Sequence, residues 1–515
     1  MSEHSSIIIV GGGISGLNAA TSLAMRGHSV LLLEKSATCG GLVNSFEREG
    51  FLFDGGIRAV ENAGMIMPML KELEIDLPLF PSNVSLGIED KIIKADSPES
   101  LMQYERILKE LYPQSTEDVE NVIKVIKKFD VYMQVLFGSD SPFFKDAKRD
   151  FRYYCTTFII WSLRFLATGA AIMRMRMPME QFLGTLLKNQ SLNDIISQHF
   201  FKKTPAFFAM SYFSLYPDYY YPKGGVGSIP RALEQRLREL GSQVRCETEV
   251  MHLDASKKIL TDQRGDQYTY DKLIWCADLK HLYRNVSFDG FEKSVQDKIR
   301  KEQTMILTSR GAESVFSLFL AIDLPPSYFS AISEGHFFYT PSKKGLGQVH
   351  RSQLEALLKN WEQLNREEFY SWLKDFCTLN TYEISIPVLN DSSAAPENKS
   401  GLVVSFLFDY ELTKSIEDAG WYEEFEERIK IMMIEALSDS VYPRLKEHIL
   451  FSFTASPLSI ERKLSCSEGA IVGWSFEQAI PIEAGMLNMK KAVLTLMPDV
   501  YRAGQWTVSP AGLPT

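Results

Sequence analysis

Apolar residues follow different rhythms along this chain. Residues 6–10 (SIIIV) and 29–33 (SVLLL) are short, unbroken aliphatic runs. Such runs mark strands buried on both faces, as in a parallel sheet. Between them, residues 14–26 (ISGLNAATSLAMR) carry Ala and Leu at helical spacing, and Gly27 closes the segment. Strand, turn, helix and strand within about 30 residues predict a βαβ unit.

From about 65 to 220 the pattern is mostly helical, with clear stretches at 119–129 and 179–199 and few strand signals. Residues 223–229 (KGGVGSI) break it. A helix at 230–240, a strand near 243–250, a hairpin turn at 262–266 around Gly265 and a buried strand at 273–277 (LIWCA) follow. Strand-like runs then come at 315–322, 381–387 and 402–408, with helical patterns at 352–375 and 421–437. From 451 onward, glycine-punctuated strands return. A chain of 515 residues exceeds one ordinary core. The expected layout is one domain assembled from 1–64, 221–290 and 451–515, and a second from 65–220 and 291–450. A ligand cleft is expected between them.

The turn after the first strand, Gly11-Gly12-Gly13-Ile14-Ser15-Gly16, fits G-x-G-x-x-G. Gly11 permits the tight turn, Gly13 lets a pyrophosphate approach the backbone, and Gly16 lets helix and strand pack closely. The helix N-terminus offers unpaired N–H groups and a partial positive charge to phosphate. Glu34, followed by Lys35, ends the second strand. An acid there accepts both ribose hydroxyls and disfavours a 2′-phosphate. A dinucleotide with a free ribose is therefore expected.

Later blocks indicate which dinucleotide. Gly40-Gly41-Leu42 follows Glu34 closely, then Phe51-Leu52-Phe53-Asp54-Gly55-Gly56. Further on come Tyr221-Pro222-Lys223-Gly224-Gly225 with Ile229, the strand at 246–253, and Asp391-Ser392-Ser393-Ala394-Ala395-Pro396. Residues 454–462 (TASPLSIER) precede Gly469 and Gly473, and the chain closes with Tyr501-Arg502-Ala503-Gly504-Gln505-Trp506 and Gly512-Leu513-Pro514. In this order the blocks resemble the FAD-dependent family of phytoene desaturases, carotenoid isomerases and retinol saturase, within the superfamily that also holds amine oxidases. The resemblance implies an α/β fold: a discontinuous Rossmann-type FAD-binding domain with an α+β substrate domain of mixed sheet plus helical cap. It implies that the Val250 backbone meets the adenine. Gly504 and Gln505 would serve the phosphates and ribityl chain. The flavin would lie under residues 40–42 and 54–58, bringing in Gly41, Leu42, Gly56 and Ile57. Leu513 and Pro514 would start a helix aimed at the flavin pyrimidine ring, and Thr515 is the last residue of the sequence.

Charge and composition narrow the picture further. A net charge of −10 argues against a nucleic-acid partner. Six cysteines without a C-x-x-C pair support neither zinc nor a disulfide framework. No H-E-x-x-H and no G-x-S-x-G occurs, so no metal site and no hydrolase are expected. The first strand begins within six residues of Met1, leaving no room for a signal peptide before it, so a cytoplasmic location is expected. The longest apolar run, residues 155–173, contains Arg164, which is costly at a bilayer centre. It reads as a buried helix or one docked peripherally on a membrane.

Arg58 is the candidate catalytic residue, placed to steady reduced flavin or an enolate-like intermediate; a structural salt bridge with Glu61 or another acid is the competing role. Clustered methionines at 65, 67 and 69 and at 173, 175, 177 and 179 suit an apolar tunnel or plain core filling. Gly345 and Gly347 do not form a second nucleotide fingerprint, so quinone or oxygen is the expected electron partner. The leading expectation is an FAD-dependent oxidoreductase that desaturates, saturates or isomerises C–C and C=C bonds of a long apolar polyene, isoprenoid or lipid. An amine oxidase and a non-catalytic flavin or lipid carrier are the alternatives.

Overall fold

The computed structural model describes residues 3–507 apart from 63, 64, 98, 138–149, 174, 215 and 483–488. Leu513 and the neighbouring Gly512 and Pro514 lie outside the described residues.

The first sheet runs in the order Gln243–Arg245, Val30–Leu33, Glu3–Val10, Gln267–Trp275, Ile259–Asp262, Val250–Asp254 and Val286–Ser287. Val500–Arg502 also pairs with Gln267–Trp275, in parallel. The unbroken apolar runs have a simple cause. Ile8, Val10, Leu31 and Leu33 feed a core shared with Leu273 and Trp275 on one face. Ile7, Ile9, Val30 and Leu32 feed a different core on the other. There the helices Ile14–Met25 and Ser228–Glu239 cover the sheet with Leu17, Ala20, Ile229 and Leu233. A strand covered on both sides needs apolar residues at every position.

The second sheet is mixed, in the order Ile449–Ala455, Ser314–Ile322, Ser400–Phe408, Tyr382–Ser385, His336–Thr340, Val84–Ile88 and Lys91–Lys94. Only the His336–Thr340 pairing with Val84–Ile88 is parallel. Phe316, Leu318, Phe337, Ile384 and Val404 form its packed face, against helices Arg366–Leu379 and Tyr422–Ser438. A cap of helices, including Thr116–Phe137 and Gln190–Ser197, builds a separate core around Val119, Ile126 and Ile196. Helix Phe151–Met173 lies on this cap, where Trp161 Nε1 donates to the Val135 carbonyl at 2.7 Å.

Several expectations change. The helix foreseen at 179–199 is two, Met179–Gly184 and Gln190–Ser197. Asn189 starts the second by accepting from the Leu192 N–H at 3.3 Å. The pattern at 352–375 likewise breaks before Arg366–Leu379, which Asn365 caps through the Glu367 N–H at 2.9 Å. The strand near 243–250 is two strands, since Glu247 takes a left-handed φ of 54°. The helical middle conceals Val84–Ile88 and Lys91–Lys94. Strand Ile449–Ala455 straddles the boundary expected at 451 and belongs to the second sheet. Beyond it the chain forms helix Pro457–Leu464 and irregular turns, with Val500–Arg502 as the remaining strand among the described residues.

Candidate active site

One cavity with room for about 480 Å³ runs from the first sheet to the second. Its outer end is built from backbone. Gly11 leaves the strand at φ 102°, and a Cβ there would sit 2.8 Å from the Ala277 nitrogen. A Cβ on Gly16 would lie 1.9 Å from the Gly11 oxygen, so helix and turn can meet only through glycine. Gly13 caps the helix without a side-chain hydrogen bond, and a Cβ there would meet nothing within 4 Å. The first N–H groups of a helix have no partner within it. Here Gly13, Ile14 and Ser15 line the cavity, where a pyrophosphate fits.

Gly11, Gly13, Ile14, Ser15, Glu34, Lys35, Gly41, Leu42, Gly56, Ile57, Arg58, Val250, Gly504 and Gln505 all line the cavity. Gly12 and Gly16 stand behind it. The Gly12 N–H donates to Glu34 Oε2 at 2.6 Å, and the Ser36 N–H to Oε1 at 2.8 Å. The carboxylate is thereby fixed with two of its roughly four acceptor positions in use. Gly504, at φ 97°, comes close to the glycine turn: a Cβ on it would be 3.2 Å from Ser15 Oγ. The Ala503 N–H donates to the Trp275 carbonyl at 3.0 Å, holding this ending on the first sheet. These residues fit an adenine dinucleotide.

Polar side chains explain why the distant blocks occur together. Asp54 is fully buried and accepts from Ser45 Oγ (2.6 Å), Tyr221 Oη (2.7 Å) and the Val226 N–H (3.1 Å). Burial pushes its carboxyl up, against the pull of those donors. Asp391 accepts from the Gly224 N–H at 2.8 Å and from Ser393. The segments around 54, 221–226 and 391 thus form one bracket at the cavity wall.

The inner end is a side-chain surface. Cross-strand partners share a face, so the register places Ala455, Ser317, Ser405, Glu383 and Phe338 in one row across five strands. All five line the cavity. Arg58, 5% exposed, lies on this row. Its Nη1 donates to the carbonyls of Asp54 (2.7 Å) and Gly56 (2.5 Å), and its Nη2 to Ser405 Oγ (2.8 Å) and Ser317 Oγ (3.1 Å). The expected alternative, an ion pair with Glu61 or another acid, is not formed among the described residues. Glu61 accepts instead from Tyr212 and Tyr219, and burial pushes its carboxyl up. Arg58 therefore clamps residues 54–58 onto the second sheet.

Sequence reasoning passed over the remaining inner groups. His336 Nε2 lies 3.3 Å from Glu383 Oε1. Burial pushes the Glu383 carboxyl up, but His336 and Arg58 outweigh it and hold the group below its ordinary value. Burial lowers His199 to about 4, leaving it neutral at pH 7. Phe200, Phe201, Phe208 and Tyr212 complete an aromatic wall. The alternation in Tyr382-Glu383-Ile384-Ser385, with Tyr382 and Ile384 in the core, was the available signal for Glu383.

A profile of the family "flavin containing amine oxidoreductase" matches residues 14–385. The chain belongs to this family. Like its other members it is an oxidoreductase, and its cofactor is FAD. Relatives of this flavoprotein extend over almost its full length. All-trans-retinol 13,14-reductase of Danio rerio is 23% identical, covering 98% of this chain and 82% of its own. A 4,4′-diapophytoene desaturase of Staphylococcus aureus is 21% identical, covering 99% and 95%. Among solved structures, an oxidoreductase from Methanosarcina mazei superposes with a TM-score of 0.63 at 14% identity, covering 97% and 94%. A putrescine oxidase variant gives 0.57 at 13% identity, covering 98% and 95%. These structures show the Rossmann-type α/β fold of the family member described here.

Proposed function

We propose that this protein adds, removes or rearranges hydrogen at carbon–carbon bonds of a long apolar polyene or isoprenoid. The observation that carries this reading is the continuity of the cavity. It leads from the glycine turn, past Arg58, into a chamber walled by Phe200, Phe201, Phe208 and Phe338. Relatives named for a retinoid and a carotenoid precursor support the substrate class. Bound FAD supplies a two-electron centre. Around it the chain's own tasks are positional. The glycine turn, Glu34, Val250, Gly504 and Gln505 hold the dinucleotide, and Gly41, Leu42, Gly56 and Ile57 face the flavin. Arg58 fixes that wall, and the aromatic surfaces hold the substrate edge-on and exclude water. Quinone or oxygen is the proposed electron partner.

A lipid surface is the proposed source of substrate. No helix among the described residues is long and apolar enough to cross a membrane. Helix Phe151–Met173 buries Trp161 and Thr168 but exposes Phe151, Ile159, Ile160, Leu163 and Leu166, an apolar face suited to peripheral contact.

The test is anaerobic spectroscopy of the FAD-loaded protein with carotenoids, retinoids, quinones and fatty compounds. A polyene that reduces the flavin, reoxidises it or is isomerised by it supports the reading. Silence with every polyene, together with reduction by an amine, refutes it. Amine oxidation is the second reading, favoured by the two carboxylates Glu61 and Glu383 in the chamber; its signature is peroxide release on adding amines in air.

A further inference from the structure

Most hydroxyl and carboxyl groups on the inner floor of the cavity have partners, while Arg58 Nε, His199 Nε2 and both ring nitrogens of His336 have no hydrogen-bond partner among the described residues. Ser317 and Ser405 bond each other at 2.9 Å and receive Arg58. Thr381, two residues before Glu383 and therefore on the same face, pairs with Thr340 at 2.7 Å and receives Gln198 Nε2 at 2.8 Å. Glu61 receives two tyrosines. Glu383 is different. Its side chain is 37% accessible and lines the cavity, and no described residue makes a well-aligned hydrogen bond to it. His336 Nε2 comes within 3.3 Å, but neither ring nitrogen of His336 is aligned with a partner. A carboxylate on a cavity floor with no donor wants one from the ligand.

Resting on the function proposed above, we infer that Glu383 selects the substrate by accepting a hydrogen bond from a hydroxyl group on an otherwise apolar molecule. The surroundings argue for a neutral donor over an ammonium ion. The guanidinium of Arg58 sits on Ser405, the cross-strand neighbour of Glu383, so the two charges offset each other on the floor. Burial favours the neutral form of Glu61 and leaves His199 uncharged. With Arg58 and His336 both facing Glu383, this pole carries no excess of negative charge to attract a cation. Phe338, one place along the row from Glu383, and the rings of Tyr219 and His336 beside it leave an aromatic collar for the carbon next to the hydroxyl.

The test measures dissociation constants for the FAD-loaded full chain by quenching of tryptophan fluorescence. The probes are retinol, the matching aldehyde, the matching hydrocarbon and the matching primary amine. Retinol should bind about tenfold or more tighter than the hydrocarbon, as a hydrogen bond to a charged acceptor gives. In Glu383→Leu that preference should shrink to within about twofold, with hydrocarbon affinity kept. Glu383→Gln, which retains a neutral acceptor, should keep part of it. Flavin content and melting temperature equal to the parent's show that each variant is folded. Equal affinity for retinol and the hydrocarbon in the parent overturns the inference, as does a preference that survives Glu383→Leu or an amine that binds tightest. If the first two bind alike while polyenes still change the flavin's redox state, only the role of Glu383 falls. If no polyene binds or reacts, the proposed function falls with it.

Discussion

The two ends of the cavity are built from different materials. The dinucleotide end is backbone: glycines at 11, 13 and 16, the N–H groups of a helix start, and Gly504 closing in from far along the chain. The inner end is side chain: a row of Ser, Ser, Glu and Phe laid across a sheet, with Arg58 clamped over it. The first end fails when atoms are added, because the space is already shaped. The second fails when atoms are removed, because its shape is a network of partners. A cofactor common to a superfamily suits the first construction. A substrate that differs between members suits the second, where one residue changes one contact.

This contrast can be broken most severely at the glycine turn. Gly16→Ala forces a Cβ against the Gly11 oxygen and should cost upwards of about 3 kcal/mol, seen as a lower melting temperature even without FAD. Gly13→Val places its side chain in open space. It should leave the flavin-free melting temperature nearly unchanged while abolishing the bound flavin absorbance. Equal melting losses in both variants would erase the distinction between shaping the cradle and facing it.

Next comes the bracket at Asp54. Asp54→Ala strands the buried donors of Tyr221 and Val226 and should cost about 2–3 kcal/mol, measured by urea unfolding with an unchanged m-value. A loss within experimental error would show that the blocks around 54 and 221–226 are held by something else.

A smaller effect separates the two carboxylates of the chamber. The folded-state pKa of Glu61 is raised above its ordinary value of 4.5, chiefly by burial. The stability contributed by its protonated form is full below that ordinary value and is lost as pH rises through the folded one. Glu61→Gln mimics the protonated group and can still accept from Tyr212 and Tyr219. It should melt a few degrees higher than the parent at pH 7, and the gap should close as pH falls below about 4.5. A gap constant with pH contradicts the assignment.

The smallest effect on stability is expected at the surface. Leu163 is 65% exposed, so Leu163→Glu should shift unfolding by no more than about 0.5 kcal/mol. Sedimentation with phospholipid vesicles should fall sharply if helix Phe151–Met173 docks on lipid, and an unchanged pellet would remove the membrane from the proposal.

What was legible in the sequence follows the same division. Gly11, Gly13, Gly16 and Glu34 could be read because a backbone cradle admits few residue types at fixed spacing. Asp54 and Asp391 lay inside recognisable blocks, although the reason they occur together, their bonds to the turn at 221–226, needs three dimensions. His336 could not be read, and Glu383 left the alternation of residues 382–385 as its one signal. Each stands in a short strand with another polar residue, and its importance comes from a register set by residues on neighbouring strands. The strands Val84–Ile88 and Lys91–Lys94 were hidden because each is too short to impose a period of two against the helical pattern around it. Strand Ile449–Ala455 was misassigned because its sequence neighbours belong to the cofactor end while its hydrogen bonds belong to the second sheet.

The approach of Gly504 to Ser15 has a consequence for biosynthesis. Gln267–Trp275 bridges Glu3–Val10 and Val500–Arg502, so strands nearly 500 residues apart share a sheet. At about 5–20 residues per second, their emergence from a ribosome is separated by on the order of a minute. Through that interval residues 273–275 lack their partners at 500–502 and the cradle lacks Gly504. If Gly504 and Gln505 hold the dinucleotide as proposed, a ribosome stalled before residue 500 should carry a chain that retains no flavin.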